Sequence, residues 1–189
     1  MKNQKTKFLK NKQSEIMKKL ILTLVVILTT NTFFGQSVFD KFDGQDDITA
    51  VVVTKKMFSL LSKMDVKDKE TQQYVNLIKK LETLKVFVTE NGKKSDEMKV
   101  IADKYLKSAS LEELMRINDK GKSVKIYVKS GASDSQIKEL LMFIEGSGKE
   151  ETVLMSLTGD FDLNELSVLT DKMNLPGGDD LKKASKAKK

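Results

Sequence analysis

The side chains of this chain that could do chemistry are carboxylates, because its 189 residues include no histidine and no cysteine. Imidazole is the usual general base near neutral pH, and imidazole and thiolate are the commonest ligands of zinc. Ser/His/Asp triads, thiol catalysis and zinc-dependent hydrolysis are therefore excluded. Carboxylate pairs of the glycosidase type remain, but such sites also need stacking aromatics, and the chain has no tryptophan and three tyrosines. We interpret the adjacent pairs Glu112-Glu113 and Asp179-Asp180 as solvated surface.

The glycine-rich residues 146–149 (GSGK) resemble part of a phosphate-binding loop. The full motif needs a glycine where Phe143 stands and a serine or threonine where Glu150 stands. Because the sequence fails at both positions, we predict a hairpin turn there.

Aspartates at two places have the right chemistry for calcium, which prefers oxygen ligands. Residues 160–164 match the first three ligand positions of a calcium loop, but Glu165 stands where the loop needs glycine and Asp171 where it needs glutamate. Helix capping explains this cluster, and the three aspartates within 43–47 have no fixed ligand spacing. The sequence therefore predicts no catalytic residue, no metal site and no cofactor, and an enzyme is not expected.

Residues 123–173 are the stretch around which the rest of the chain is organised, since three strand patterns there lead into a helix pattern. Apolar and polar residues alternate over 123–129 and 152–158, as is typical of strands. The same reasoning predicts an α+β fold: a mainly antiparallel sheet of about six strands with helices packed over one face, in a single domain. The third strand of this stretch is predicted at 137–144, and the three strands before it at 48–53, 84–89 and 111–118.

Helices are predicted where apolar residues recur at intervals of three and four. The first follows Thr54 as its N-cap, the third starts at Ser95, and the fourth starts near Asp162 with Glu165 as its capping-box partner. The stripes expected to be buried are, in chain order, Met57, Leu60, Leu61 and Met64; Tyr74, Leu77, Ile78 and Leu81; Met98, Ile101, Ala102, Tyr105 and Leu106; and Leu166, Leu169 and Met173.

The strand predicted at 137–144 is apolar on both alternating faces, whereas its neighbours are apolar on one. Either this strand is central and covered on both sides, or its second face binds a partner. The partner-binding candidates are Leu140, Met142 and Ile144.

The start of the chain has the features of a targeting signal. Lys18 and Lys19 precede the apolar run 20–28, which predicts a secretory signal peptide over 1–36, with Met17 as an alternative start. Since the chain has no cysteine for a lipid anchor, we expect an exported protein of the periplasm or medium that has no membrane span after cleavage. The other predicted parts are an irregular arm at 37–47, the domain at 48–176 and a disordered lysine-rich tail at 177–189.

The net charge of +7 comes from the two ends of the chain. Residues 1–36 hold seven lysines and one glutamate, and residues 182–189 hold five lysines and no acid, so that residues 37–181 carry −4. A nucleic-acid-binding domain needs a basic surface on its folded part. We therefore predict no nucleic-acid partner.

Several segments together are similar to those of a known family. They are the leader end Phe34-Gly35-Gln36, the strand-helix unit 48–61, the run 111–115 (LEELM) before a strand, and the run 154–163. In these segments the chain resembles domain-of-unknown-function family 4252 (DUF4252), found in secreted proteins of Bacteroidetes-type bacteria. The resemblance implies an exported α+β domain, offers no functional residues to carry over, and suggests a place beside envelope-stress regulators.

The leading hypothesis from the sequence is a non-enzymatic exported domain that binds another envelope protein or a small apolar ligand. It would do so through its sheet face or an exposed strand edge. The alternatives are a carboxylate-dependent or calcium-dependent envelope enzyme, and a structural or envelope-stress-related periplasmic protein.

Overall fold

The structure is a computed structural model that describes residues 38–63, 69–119, 121–133, 135–146, 151–166 and 179–180. The chain divides into a unit Met1–Asp40 and a unit Lys41–Lys189, and the fold described below is that of the second. The predicted signal peptide, the predicted turn at 146–149 except Gly146, and all of the predicted tail except Asp179 and Asp180 lie outside the described residues. Among the described helices, none has both the length and the apolar character that a membrane crossing requires.

Six strands form one sheet in which every neighbouring pair is antiparallel. They are β1 (Thr49–Thr54), β2 (Leu81–Thr89), β3 (Glu112–Asp119), β4 (Lys122–Ser130), β5 (Gln136–Glu145) and β6 (Thr152–Asp162). Their spatial order is β1-β2-β6-β5-β4-β3, so β1 and β3 are the two edges. The predicted α+β fold with a single six-stranded antiparallel sheet is confirmed, including the hairpin that pairs β3 with β4.

Within the described residues, three α-helices connect the strands. They are α1 (Lys55–Leu61), which follows β1 directly, α2 (Lys69–Ile78), which precedes β2, and α3 (Gly92–Ala109), which links β2 to β3. Short 3-10 helices lie at Asp40–Phe42 and Leu163–Glu165.

The main core lies on one face of the sheet. Val86 of β2, Met155 of β6 and Met142 of β5 are in register across the strands, and all three are buried. Phe58 of α1 and Leu77 of α2 belong to the same cluster of buried side chains. Helices α1 and α2 therefore cover this face.

The opposite face carries a second apolar layer. Phe87 of β2, Leu154 of β6 and Phe143 of β5 are in register and buried. Helix α3 contacts these three strands, and the hydroxyl oxygens of Ser95 on α3 and Thr152 on β6 lie 2.7 Å apart. Helix α3 therefore covers the face opposite to α1 and α2.

The helices thus lie over both faces, whereas the sequence predicted them over one. The physical reason is the composition of the central strands β2, β6 and β5, which carry apolar side chains on both faces. Helices on one face alone would leave the other apolar face of the sheet exposed to water. Of the two explanations offered for the doubly apolar β5, the central position covered on both sides is the one found.

Polar contacts tie α3 to β5. The Lys99 ammonium lies 2.6 Å from the Glu145 carboxylate, and the Tyr105 hydroxyl donates to Glu139 at 2.6 Å. Burial, reinforced by that hydrogen bond, raises the pKa of Tyr105 far above its ordinary value. These contacts fix which face of α3 meets the sheet.

The start of α3 differs from the prediction. The helix begins at Gly92 rather than at Ser95, because the Asn91 side chain caps it and accepts hydrogen bonds from the backbone N–H groups of Lys93 (3.0 Å) and Lys94 (3.3 Å). The predicted core residues Met98 and Ala102 are buried. Their companions Ile101, Tyr105 and Leu106 are half-buried.

The prediction for α1 is wrong in two respects. Its buried side chain is Phe58, with Leu61 packed beside it, whereas Met57 and Leu60 are 48% and 55% exposed. In addition, Thr54 occupies the N-cap position without a capping hydrogen bond from its side chain. Since apolar residues fall on two faces of this seven-residue helix, their spacing does not determine which face meets the sheet.

The remaining predicted stripes agree with the structure where it describes them. Leu77, Ile78, Leu81 and Leu166 are buried, and Tyr74 packs against the core. Leu81, however, opens β2 instead of closing α2. The predicted core residues Met64, Leu169 and Met173 lie outside the described residues.

Strand β6 pairs closely with the beginning of β2 at Gly159, which lies opposite Leu81. The backbone N–H of Asp160 donates to the carbonyl oxygen of Lys80 at 2.9 Å. A Cβ atom on Gly159 would lie 2.9 Å from the Cα of Leu81 and closer still to the Lys80 oxygen. Only glycine allows the two backbones this approach.

Candidate functional site

The three partner-binding candidates from the sequence lie in the interior. Leu140, Met142 and Ile144 point from β5 into the main core, and each is buried. A partner would reach them only if the covering helices moved. Their role in binding stays a prediction, and the accessible surfaces of the domain lie elsewhere.

Several of the carboxylates singled out in the sequence are held individually by cations or N–H donors. Asp160 lies 2.6 Å from the ammonium of Lys138, and this hydrogen bond holds the pKa of Asp160 below its ordinary value. Glu113 pairs in the same way with Arg116, which lowers the pKa of Glu113. Among the residues described, no three acidic side chains converge as a metal site requires.

The capping explanation for residues 160–164 is confirmed. Asp162 accepts a hydrogen bond from the backbone N–H of Asn164 at 2.8 Å, and Glu165 accepts one from the N–H of Asp162 at 3.2 Å. Together they form a capping box at the 3-10 helix Leu163–Glu165. Burial works to raise the pKa of Asp162, but the hydrogen bonds from Asn164 and Ser135 outweigh it and hold that pKa low.

One of the carboxylates interpreted as surface is buried. The Asp180 side chain is 8% exposed and lies 3.1 Å from the Lys122 ammonium at the start of β4. A charge is rarely buried without a partner. Because Lys122 supplies that partner, Asp180 has a structural contact rather than a free position on the surface.

Four of the five large apolar side chains that are exposed in the described part of Lys41–Lys189 belong to β1 and α1, and the fifth, Val100, lies on α3. Val51 and Val52 of β1 are 43% and 42% exposed, although both are large apolar residues. Met57 and Leu60 of α1, the helix that follows β1 and contacts it, are about half exposed. Val51 pairs with Val86 and shares the main-core face with α1, whereas Val52 points to the opposite face. These four residues, which border the edge on its two sides and which we call the β1 edge surface, form the candidate site.

The backbone of β1 adds hydrogen-bond donors and acceptors to this apolar surface. As an edge strand, β1 uses half of its N–H and C=O groups on β2, and the other half points away from the sheet. An extended peptide that aligns with β1 would satisfy those groups by continuing the sheet.

The two edges of the sheet differ in the features that hinder pairing with a further strand. The opposite edge, β3, carries Glu112, Glu113, Arg116 and Asp119 and has an irregular register near Glu113. Charges and bulges of this kind hinder edge-to-edge pairing. In contrast, β1 has the sequence TAVVVT, without charge, proline or glycine, and Ala50 to Thr54 pair with β2 without interruption.

A search of protein families confirms the resemblance noted in the sequence. The family model described as "Domain of unknown function (DUF4252)" matches residues 42–169. The chain belongs to the DUF4252 family. The match includes all six strands, so the β1 edge surface is part of the DUF4252 domain. Neither the curated proteins nor the solved structures that were compared with the chain contain a match.

Sequence reasoning did not identify the β1 edge surface of this DUF4252 domain. It predicted the strand from the β-branched run at 48–53 and assigned Met57 and Leu60 to the core. The available signal was the combination of an uncharged strand with a following helix that has apolar residues on two faces. Such a helix can bury only one face against a sheet.

Proposed function

We propose that this DUF4252 domain is a non-enzymatic exported module that binds an envelope protein through the β1 edge surface. The observation that carries the proposal is the coincidence of an edge strand without charge, proline or glycine with the exposed apolar side chains of Val51, Val52, Met57 and Leu60. Exposed apolar patches of this kind are typical of protein-binding sites.

Of the two partner classes expected from the sequence, a protein suits this surface better than a small apolar ligand. The outward backbone groups of β1 need hydrogen-bond donors and acceptors in a repeating order, which another polypeptide offers and an apolar molecule lacks. The paired state of carboxylates such as Asp160, Glu113 and Glu165 also supports binding rather than carboxylate catalysis. The stress-related role suggested by the resemblance is compatible with such a module.

Export is part of the proposal and is supported by the apolar run 20–28 after Lys18 and Lys19. We expect the full chain to be recovered from the envelope or medium after cell fractionation. A chain that lacks residues 1–36 should stay in the cytoplasm. Recovery of both forms from the cytoplasm alone would contradict export.

Site-specific photo-crosslinking in intact cells tests the binding surface. A benzophenone amino acid replaces Val52, and the matched control carries it at Val100, which is 64% exposed on α3. We expect a discrete protein adduct from position 52, identified by mass spectrometry, and none from position 100. The additional substitution Val51→Lys should abolish the adduct, because it places a charge in the apolar contact.

The proposal fails if irradiation at position 52 yields no protein adduct. It also fails if the adducts are the same at positions 52 and 100, or if Val51→Lys leaves the adduct unchanged. Thermal unfolding of each variant serves as the folding control, since substitution at an exposed position is expected to change stability by no more than about 0.5 kcal/mol.

A further inference from the structure

We propose that the partner of β1 is a second copy of this chain, whose β1 aligns antiparallel with the first across a two-fold axis. The two six-stranded sheets would then continue into each other. This inference rests on the proposed function, because it assigns a specific protein to the same β1 edge surface.

The geometry of strand pairing restricts the register of such a dimer. A two-fold axis that makes two edge strands antiparallel stands perpendicular to the sheet, so each face of one copy continues into the same face of the other. Side chains alternate between faces along a strand, and opposite residues must share a face. The axis therefore passes beside one residue that lies opposite the same residue of the other copy. Near the middle of β1 this central residue is Val51 or Val52.

The charges that flank β1 favour the register centred on Val51. Asp46 and Asp47 precede the strand, Lys55 and Lys56 follow it, and all four residues are exposed. Within one copy Asp47 accepts a hydrogen bond from the Asn91 amide and Lys55 lies 3.3 Å from Glu82, so pairing between copies would exchange or share these exposed contacts. With Val51 opposite itself, Asp47 of each copy comes opposite Lys55 of the other, and Asp46 comes opposite Lys56. Centred on Val52, Asp47 would come opposite the apolar Met57 instead.

Self-pairing is specific to β1, since the same operation at the other edge brings like charges together. The same rule centres a β3 pair on Arg116 or on Met115. Centred on Arg116, the two guanidinium groups lie opposite each other and Glu113 of one copy lies opposite Asp119 of the other; centred on Met115, the irregular register between Glu113 and Met115 falls within the pair and hinders it. Like charges opposite each other destabilise strand pairing. The sheet thus has one edge that is complementary to itself and one that repels itself.

Helix α1 adds apolar area to the contact. Phe58 places α1 on the main-core face, and the two-fold axis keeps both copies of α1 on that same face. The exposed side chains of Met57 and Leu60 then lie on one side of the joined sheet. Because a six-residue strand pair with these four side chains is smaller than the roughly 1,200–2,000 Å² of a standard interface, we expect a dissociation constant in the range of about 1–100 μM.

Sedimentation velocity across a concentration series measures the predicted association. The chain purified after export should shift from the monomer mass to twice that mass within the range of about 1–200 μM. Val51→Lys places two ammonium groups opposite each other at the axis, so this variant should remain monomeric throughout. The matched control, Val100→Lys on α3, should dimerise as the unmodified chain does.

Disulfide trapping tests the register independently. Because the chain has no cysteine, Val51→Cys provides the only thiol, and oxidation should link two copies at this position. Val52→Cys should link poorly, because its side chain comes opposite Ala50 in the predicted register. Efficient linkage through Val52→Cys but not through Val51→Cys would overturn the register.

The outcomes separate this inference from the proposed function. A chain that stays monomeric at all concentrations, or a dimer that survives Val51→Lys, overturns the second copy as the partner of β1. In that case a photo-adduct from position 52 with a different protein would still support the β1 edge surface as a binding site. The absence of any adduct at position 52, together with a monomeric chain, overturns both.

Discussion

Gly159→Ala should strongly destabilise the domain, because β6 and the beginning of β2 meet at this residue without room for a side chain. The added Cβ would lie 2.9 Å from the Cα of Leu81 and closer to the Lys80 carbonyl oxygen. Both neighbours are backbone atoms, which cannot rotate away as a flexible side chain would. The contact can be relieved only if the two strands move apart.

Two contributions set the loss in the free energy of unfolding. Overpacking at a rigid site costs about 1–3 kcal/mol, and strand separation also lengthens the hydrogen bond from Asp160 N–H to the Lys80 oxygen, which contributes about 1 kcal/mol. The expected loss in the free energy of unfolding is therefore about 2–4 kcal/mol. At about 3–5 °C per kcal/mol for a domain of this size, the melting temperature should fall by about 6–20 °C.

Thermal and urea unfolding, followed by circular dichroism, measure this loss. The matched control is Gly92→Ala at the start of α3, where no atom lies within 4 Å of the added Cβ; since alanine favours helix over glycine, its stability should be unchanged or slightly raised. A Gly159→Ala variant that melts within about 2 °C of the unmodified chain would refute the argument from close backbone approach.

Two further predictions concern titratable groups. Burial and the hydrogen bond to Glu139 raise the pKa of Tyr105, so its contribution to stability is complete below the unfolded pKa of about 10 and is lost as the pH rises toward the folded value. Tyr105→Phe should lower the free energy of unfolding by about 1 kcal/mol at neutral pH and should reduce the further loss of stability above about pH 10. If urea unfolding shows that the free energy of unfolding falls equally steeply with pH in both proteins, this prediction is contradicted. The pKa of Asp162 is lowered in the folded state, so its contribution is present above the unfolded pKa of about 4 and is lost as the pH falls through the folded value. The Asp162→Asn variant should therefore be less stable than the unmodified chain at pH 7 and should lose less stability on acidification. If both proteins lose the same free energy of unfolding on acidification, the Asp162 carboxylate does not stabilise the fold by capping.

The strands could be predicted from the sequence because alternation with a period of two is a local property. All six were found, and the turn at 118–121 correctly indicated the hairpin of β3 and β4. The side of the sheet on which each helix lies is not local. It depends on long-range pairing such as that of β2 with β6, which no spacing pattern along the chain reveals.

The candidate site was harder to predict for a related reason. Val51 and Val52 have the β-branched side chains of a buried strand, and only the spatial strand order shows that β1 is an edge. Asn91 presents a similar ambiguity, since asparagine before glycine favours both a turn and an N-cap. The structure resolves it through the hydrogen bonds that Asn91 accepts from Lys93 and Lys94.

The position of β6 between β2 and β5 has a consequence for the order of folding. The strands β3 to β6 pair with their neighbours in the chain, whereas β2 must wait for β6, whose pairing residues lie about 70 positions later: Thr83 pairs with Thr158. Contacts of such long separation form late and slow the folding reaction. During synthesis β1 and β2 therefore emerge before the strand that joins them to the rest of the sheet, and the uncharged β1 is exposed to aggregation during that interval.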